Sequence, residues 1–452
     1  MDIADRQPGY VRVLLKHPAE AALAAASRAA PAECRDLMSS LKLPRRLMLD
    51  YSLKPLPLGS EPASPANFLD YIESPRATTF AIRVYVERNP DGSIPHNVDG
   101  LTLYSDPPIG LHQTNLESPA KGKTADVQQK LNAALLHKSG LDGSGVAVAI
   151  VDTGIYLRHL NEELKLNPSV DEENSWTPER VATPAFKHRV GHGTMCAYNA
   201  LIAAPRATLV DVSLLLGRAP ADHTVRGTIG TAIAAFDHLA LTWEKMKAGK
   251  SYNALVVSNS WGIYHPALDF PVGHPGRFID NPAHLFYDKI AALAHAGADI
   301  LFCAGNCGPD CPAPACLHRT NGSIMGAAAY PEVLTVGGCD TEDNRVGYSS
   351  RGPAIANLPP EKPDLTAYTH FAGSQVRGKT EPDSGTSVSC PVAAGCVAAL
   401  RSKEPPSKTP PAALFAQLRA HARHAGTGGW TPDFGYGIID PLETARGLGI
   451  YP

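Results

Sequence analysis

The sequence predicts an α/β fold, a mostly parallel sheet with helices on both faces, preceded by a smaller α+β N-terminal domain. Two observations predict it. From about residue 125 onward, short and nearly uninterrupted apolar runs alternate with longer amphipathic stretches. Strands that are apolar on both faces belong to sheets covered on both sides, and helical crossovers make such sheets parallel. Before residue 120 the texture changes to strand-like runs separated by proline-rich pieces. The expected division is therefore 1–120 and 121–452, with SDPPIGLHQTNLESPAKGKTA, residues 105–125, having the composition of a linker.

Taken in order, the first region offers strands in YVRVLL, TTFAIRVYVE and LTLYS. The alanine-rich stretch AEAALAAASRAA suits a helix, and KPLPLGSEPASPA reads as a break. The second region offers strands in VAVAIV (146–151), ATLVDVSLLL (207–216), NALVVSNS (253–260), ADILFCAGN (298–306) and VLTVGG (333–338). Helices are expected in TIGTAIAAFDHLALTWEKM, PAHLFYDKIAALAHAG and SVSCPVAAGCVAAL. In an open parallel sheet the site lies beyond the carboxyl ends of the strands.

Composition excludes several classes. With 44% hydrophobic and 19% charged residues and a formal charge of -3, the 452-residue chain is globular and carries no basic stripe for nucleic acid. No run approaches the roughly 18 apolar residues of a membrane span. The start, MDIADRQPGYVRVLLKHPAE, lacks a basic segment followed by a long apolar run, since Lys16 and His17 interrupt it. A cytoplasmic location is the expectation, with non-standard secretion left open. The 17 histidines show no metal-binding repeat, so no metal site is assigned. Nine cysteines cannot all pair within the chain, and Cys303, Cys307, Cys311 and Cys316 lie close together in CAGNCGPDCPAPAC. Loop disulfides, free thiols and a structural metal all stay open for these four.

Four residues follow or open elements in a way that suits catalysis. Asp152 follows VAVAIV, His192 sits between two glycines at an expected helix start, Asn306 follows ADILFCAG, and Ser387 opens SVSCPVAAGCVAAL. A serine hydroxyl is a weak nucleophile until a base accepts its proton. Gly385 lets the chain turn and leaves space beside Ser387. A helix start aims N–H groups and the positive dipole end at a developing oxyanion. Pro391 is expected in about the first turn, where a missing N–H costs little. His192 is then the base, Asp152 the group that holds its tautomer, and Asn306 an oxyanion donor.

The chain resembles the subtilisin-like serine proteases, or subtilases, in VAIVDTGI, GHGT, APRATLVDV, VSNSWG, CAGN, YSSRGP, SGTSVSCPVAAG and GYGIID, which fall in family order between about residues 125 and 445. The resemblance implies peptide-bond hydrolysis through an acyl-enzyme, with an Asp152–His192–Ser387 triad and Asn306 as oxyanion donor. It implies that a polypeptide substrate adds as a strand along Ser258, Asn259, Ser260, Trp261 and Gly262. The P1 walls would come from Ser260–Gly262 and from Cys303, Ala304, Gly305 and Asn306. No cofactor is required for this chemistry. Tyr198 stands where the family usually has glycine, and the short passage CAYNALIAAPRATL argues against calcium at the loop that many members carry there. The N-terminal region shares the strand–helix–strand texture of subtilase pro-domains, which act as folding aids and intramolecular inhibitors. A lasting accessory domain is the equal alternative.

Two rivals remain in view. Asp152-Thr153-Gly154 and Asp383-Ser384-Gly385 echo the paired signatures of aspartic proteases, but charge and proline precede Asp383, and helix–strand alternation is foreign to that all-β class. A catalytically inactive subtilase-fold binding module is the other, although no triad member is missing.

Overall fold

The structure, a computed structural model, describes residues 9–60, 77–111, 114, 118–179, 181–189, 191–215, 226–263, 265–423 and 429–451. Residues 1–8 of the N-terminal stretch, 61–66 of the proline-rich piece, and 112, 113 and 115–117 of the expected linker lie outside the described residues.

The N-terminal region is an antiparallel sheet with two helices. Strands β1 (Tyr10–Pro18), β2 (Leu47–Leu49), β3 (Leu56–Ser60), β4 (Ala77–Glu87), β5 (Asn97–Val98) and β6 (Leu101–Ser105) run in the order β2–β4–β1–β6–β5, with β3 also paired to β4. Helices α1 (Ala21–Ala26) and α2 (Pro31–Ser39) cover one face, burying Leu23 and Met38 against Val13, Leu15, Ile82 and Val84. Side chains alternate along a strand. Leu14, between Val13 and Leu15, therefore faces the other way and joins a core shared with the larger domain.

That domain is built on seven parallel strands. These are β8 (Val146–Asp152), β9 (Ser169–Val170), β10 (Thr208–Ser213), β12 (Ala254–Asn259), β14 (Asp299–Cys303), β15 (Leu334–Cys339) and β16 (Leu365–Tyr368). Their order is β16–β15–β14–β12–β8–β10–β9, every neighbouring pair parallel. All seven residues of β8 are buried. Val146, Val148 and Ile150 face the core under helices α3 (Gly191–Ala200) and α6 (Thr386–Arg401), while Ala147, Ala149 and Val151 face helices α4 (Ile229–Ala248) and α5 (Leu285–His295). Burying each Val or Ile contributes roughly 1.5–3 kcal/mol before the entropy of ordering is subtracted. The continuous apolar runs thus meet two helical layers, as the sequence predicts. Among the described residues, no helix is long and apolar enough to cross a membrane.

The expected linker departs from its composition. Pro108–Leu111 forms β7, the middle strand of a three-stranded sheet between β11 (Arg226–Thr228) and β13 (Trp261–Gly262). Both pairings are antiparallel, with Ile109 opposite Gly227, Gly110 opposite Gly262, and Leu111 opposite Trp261. Proline and glycine are poor strand formers, so only the two flanking edges make this segment a strand. Just before it, Asp106 Oδ1 accepts the Gly230 N–H (2.7 Å) in the first turn of α4. Arg83 Nε lies 2.9 Å from Asp106 Oδ2, and its Nη2 donates to Thr228 Oγ1 at 2.6 Å. At the start of α5, the His284 ring contacts the Ser105 carbonyl through Nε2 at 3.0 Å. The N-terminal sheet is thereby fastened to the amino ends of two helices, where acceptors are favoured.

Candidate active site

Asp152 is the last residue of β8 and is fully buried. Its Oδ1 lies 2.8 Å from Nδ1 of His192, the second residue of α3, and also accepts the Thr153 N–H at 2.7 Å. The close approach of α3 depends on glycine. A β-carbon on Gly193 would fall inside contact distance of the Gly154 carbonyl. The Gly193 N–H instead donates to Thr153 Oγ1 at 2.9 Å.

Ser387 is the second residue of α6 and only 1% exposed. Gly385 before it has φ +97°, a conformation L-residues avoid, and a β-carbon there would sit 3.0 Å from Asn306 Nδ2. Asn306 follows β14, and its Oδ1 accepts from Thr386 N (2.9 Å) and Thr386 Oγ1 (3.0 Å). That pairing directs the amide NH2 group away from Thr386. The carboxyl ends of two strands and the first turns of two helices therefore bring Asp152, His192, Asn306 and Ser387 to one end of the sheet. Ser387 Oγ has no hydrogen-bond partner among the described residues, so its contact with His192 is not closed in this conformation. Catalytic hydrogen bonds commonly tighten only with substrate in place.

Pro391 stands in the second turn of α6, not the first as expected, because the helix begins one residue before Ser387. Its missing N–H would have served the Ser387 carbonyl. That carbonyl accepts instead from Ser260 Oγ (3.0 Å) and Cys196 Sγ (3.4 Å). Proline here frees the Ser387 carbonyl for side chains of other elements.

The remaining candidates separate into two groups. Ser258 and Asn259 are buried in β12, and Asn259 Nδ2 donates to the Leu301 carbonyl at 3.0 Å. Ser260, Trp261 and Gly262 lie beside the site, with Trp261 and Gly262 paired to β7. Cys303 and Ala304 line a small cavity with Trp261, Gly262, Phe302 and Met325, and the Gly305 N–H donates to Thr386 Oγ1 at 3.0 Å. Of the four clustered cysteines, Cys307 and Cys316 are bridged, and Cys303 and Cys311 are free thiols. A cavity of about 660 Å³ bounded by Trp243, Lys247, Tyr252 and Pro406 lies at the amino ends of the strands, remote from these groups.

The sequence gives no sign of several supporting contacts, including those of Asp383 and Tyr198, which it marks only for other reasons. Asp383 accepts from Ser374 N (2.8 Å), Ser374 Oγ (2.6 Å) and Asn199 Nδ2 (3.1 Å), tying α3 to the turn before Ser387. Asp211 holds the Ile155 and Phe186 N–H groups at 3.1 and 2.7 Å, and burial pushes its carboxyl up to about 6. A carboxylate in an otherwise apolar strand was the available signal for Asp211. Tyr198 OH lies 2.7 Å from Thr124 Oγ1.

A buried carboxylate on an imidazole, a serine at a helix start and an amide donor beside it can carry acyl transfer. Fold and site together define a parallel α/β hydrolase with its site at the carboxyl ends of the strands. The profile of the Subtilase family matches residues 143–437, more than half of the chain, and the chain belongs to that family of serine endopeptidases. It is 30% identical over 334 residues to the membrane-bound transcription factor site-1 protease of Mus musculus, covering 72% of this chain and 27% of that protein. It is 26% identical over 358 residues to M-protease of Shouchella clausii, covering 78% of this chain and 77% of that protein. Subtilisin-like protease SBT6.1 of Arabidopsis thaliana is 27% identical over 344 residues, 28% of its own length. The chain thus spans about a quarter of the length of the site-1 and SBT6.1 relatives.

Proposed function

We propose that this chain is a processing endopeptidase in which Ser387 attacks the peptide carbonyl while His192 accepts its proton. Asp152 holds the His192 tautomer and stabilises the imidazolium, and Asn306 donates to the oxyanion. The observation that carries the reading is the Asp152–His192 pair at 2.8 Å beside a Ser387 seat whose Gly385 clears Asn306. Similarity to proteins named site-1 protease supports limited processing rather than general digestion.

The N-terminal region inhibits the enzyme within the same chain on this reading. Strand β7 occupies the edge of β13, where a substrate would add its own strand. Thr114 follows with its Oγ1 3.4 Å from Ser384 Oγ, three residues before Ser387. Self-cleavage is expected between residues 111 and 114. Intact-mass analysis before and after a fluorophosphonate probe tests both parts. One adduct that disappears in Ser387→Ala, and a cut at 111–114 that also disappears, are the expected results. A chain that takes no adduct even after limited proteolysis would instead be an inactive binding module.

A further inference from the structure

Asp211 is a fully buried acid that the chemistry proposed above does not use. It stands on β10 opposite Ile150 of β8, two positions before Asp152. Paired residues of parallel strands share a face of the sheet, and so do residues two apart along a strand. Asp211 and Asp152 therefore point the same way, towards the side covered by α3, the helix that carries His192. A single oxygen of Asp211, Oδ2, accepts two backbone N–H groups, from Ile155 at 3.1 Å and from Phe186 at 2.7 Å. Its other oxygen accepts the Ser213 hydroxyl at 3.0 Å. Ile155 comes three residues after Asp152, and Phe186 six residues before His192. One carboxylate thus joins the chain leaving the acid to the chain arriving at the base. The turn between them has little slack. Thr153 Oγ1 accepts the Gly193 N–H at 2.9 Å, and the Tyr156 N–H donates to Thr194 Oγ1 at 2.8 Å, both partners lying on α3. Ile155, between these two, is tied to the sheet instead. The Leu157 N–H donates to the Phe186 carbonyl at 3.1 Å, and a β-carbon on Gly154 would meet the His188 ring at 2.5 Å. A turn packed this closely on both sides passes a shift of Ile155 on to Asp152.

We propose that Asp211 is a positioning residue, whose Oδ2 pins the Asp152 turn to the segment before His192 and so sets the 2.8 Å contact between acid and base. It rests on the proposed role of His192 only for its kinetic readout. A buried carboxylate without a cation is costly, and among the described residues no Lys, Arg or His pairs with Asp211. A hydrophobic residue would fill the position at less cost, as Ile150 does opposite it on β8. Such a residue cannot offer an acceptor that two N–H groups share. Left unpaired in the interior, the Ile155 and Phe186 N–H groups would turn towards other acceptors, and the two segments would part. A displacement of about 1 Å at a reacting group can lower a rate about 100-fold.

The test uses the full chain as wild type, Asp211→Ala and Asp211→Asn. In steady-state peptide hydrolysis, Asp211→Ala should lower kcat roughly 10–100-fold with KM changed less than about twofold. Asp211→Asn should recover most of that loss, because its amide oxygen can face both N–H groups while its NH2 meets the Ser213 hydroxyl. An Asp211→Ala protein with wild-type kcat, or an Asp211→Asn protein as slow as Asp211→Ala, overturns the proposal. Separately, the far-downfield proton resonance of His192 Nδ1–H is recorded in Ser387→Ala and assigned by its absence once His192→Gln is added. Adding Asp211→Ala should shift or broaden that resonance, and adding Asp211→Asn instead should leave it close to its place. The signal reads the contact with Asp152 even if the chain proves to have no peptidase activity, so the two failures are distinguishable. A resonance unmoved by Asp211→Ala overturns the proposal. Should Asp211→Ala fail to fold, Asp211→Glu, which keeps the charge and moves the oxygens out by one carbon, decides the question. Lowered kcat and a shifted resonance then support the proposal, and wild-type values of both overturn it.

Discussion

A methyl group is too large for the space between Gly385 and Asn306. Gly385→Ala would strain a backbone at φ +97° and press a carbon to 3.0 Å from the amide nitrogen, displacing the proposed oxyanion donor. Asn306→Ala removes that donor outright and should lower kcat about 10²–10³-fold with KM little changed, the loss seen for the equivalent deletion in subtilisin. Gly385→Ala should fall in the same direction without exceeding it, and steady-state kinetics on one peptide substrate checks both. The four principal side chains were legible because each sits in a short local pattern with a chemical reason for its neighbours. The contacts of Thr386 and Asp383 were not, since each acts through a partner far away in sequence, Asn306 or Asn199. Pro391 was legible as a proline near a helix start, but its purpose was hidden until Ser260 and Cys196 were seen at the Ser387 carbonyl.

At the scale of elements, two buried polar contacts set expectations for stability. Arg401 at the end of α6 and Asp299 at the start of β14 are both fully buried, with Nε and Nη2 each 2.7 Å from a carboxylate oxygen. Arg401→Ala leaves a buried carboxylate unpaired and should cost about 3–5 kcal/mol in chemical denaturation. His284 caps α5: Nδ1 accepts the Phe286 N–H at 3.2 Å, so Nε2 carries the proton that reaches Ser105. Burial pushes this ring down to about 4, whereas histidine in an unfolded chain titrates near 6.5. The unfolded chain then binds more protons between those values. Stability from His284 is present above about pH 6.5 and is lost as pH falls towards 4, by about 2 kcal/mol between pH 7 and 5. His284→Gln should flatten the pH dependence of the denaturation midpoint by that amount; parallel slopes would contradict it. The strands and long helices of the large domain were legible because β8, β12 and β14 are apolar on both faces. Strand β7 was not, because Pro108-Ile109-Gly110-Leu111 owes its conformation to β11 and β13.

At the scale of the whole molecule, the N-terminal sheet and the large domain share one core through Leu14, Ile109 and the α4 and α5 helices. The sequence division near residue 120 falls after β7, so the boundary of composition is not the boundary of contact. Ile109 is 1% exposed. Ile109→Glu would bury a charge in that core, loosen β7, and should raise the initial rate of hydrolysis in material from which self-cut chains have been removed. An unchanged rate would show that β7 does not obstruct the cleft. A strand held in place by its own chain competes at an effective concentration in the millimolar range, whatever the amount of protein in solution. On the proposed inhibition, dilution cannot relieve such a competitor, and a substrate at micromolar concentration would meet a cleft already filled. The proposed cut between residues 111 and 114 would change the order of that reaction. The departing fragment becomes an ordinary ligand, and from then on the active fraction should grow simply as the solution is made more dilute.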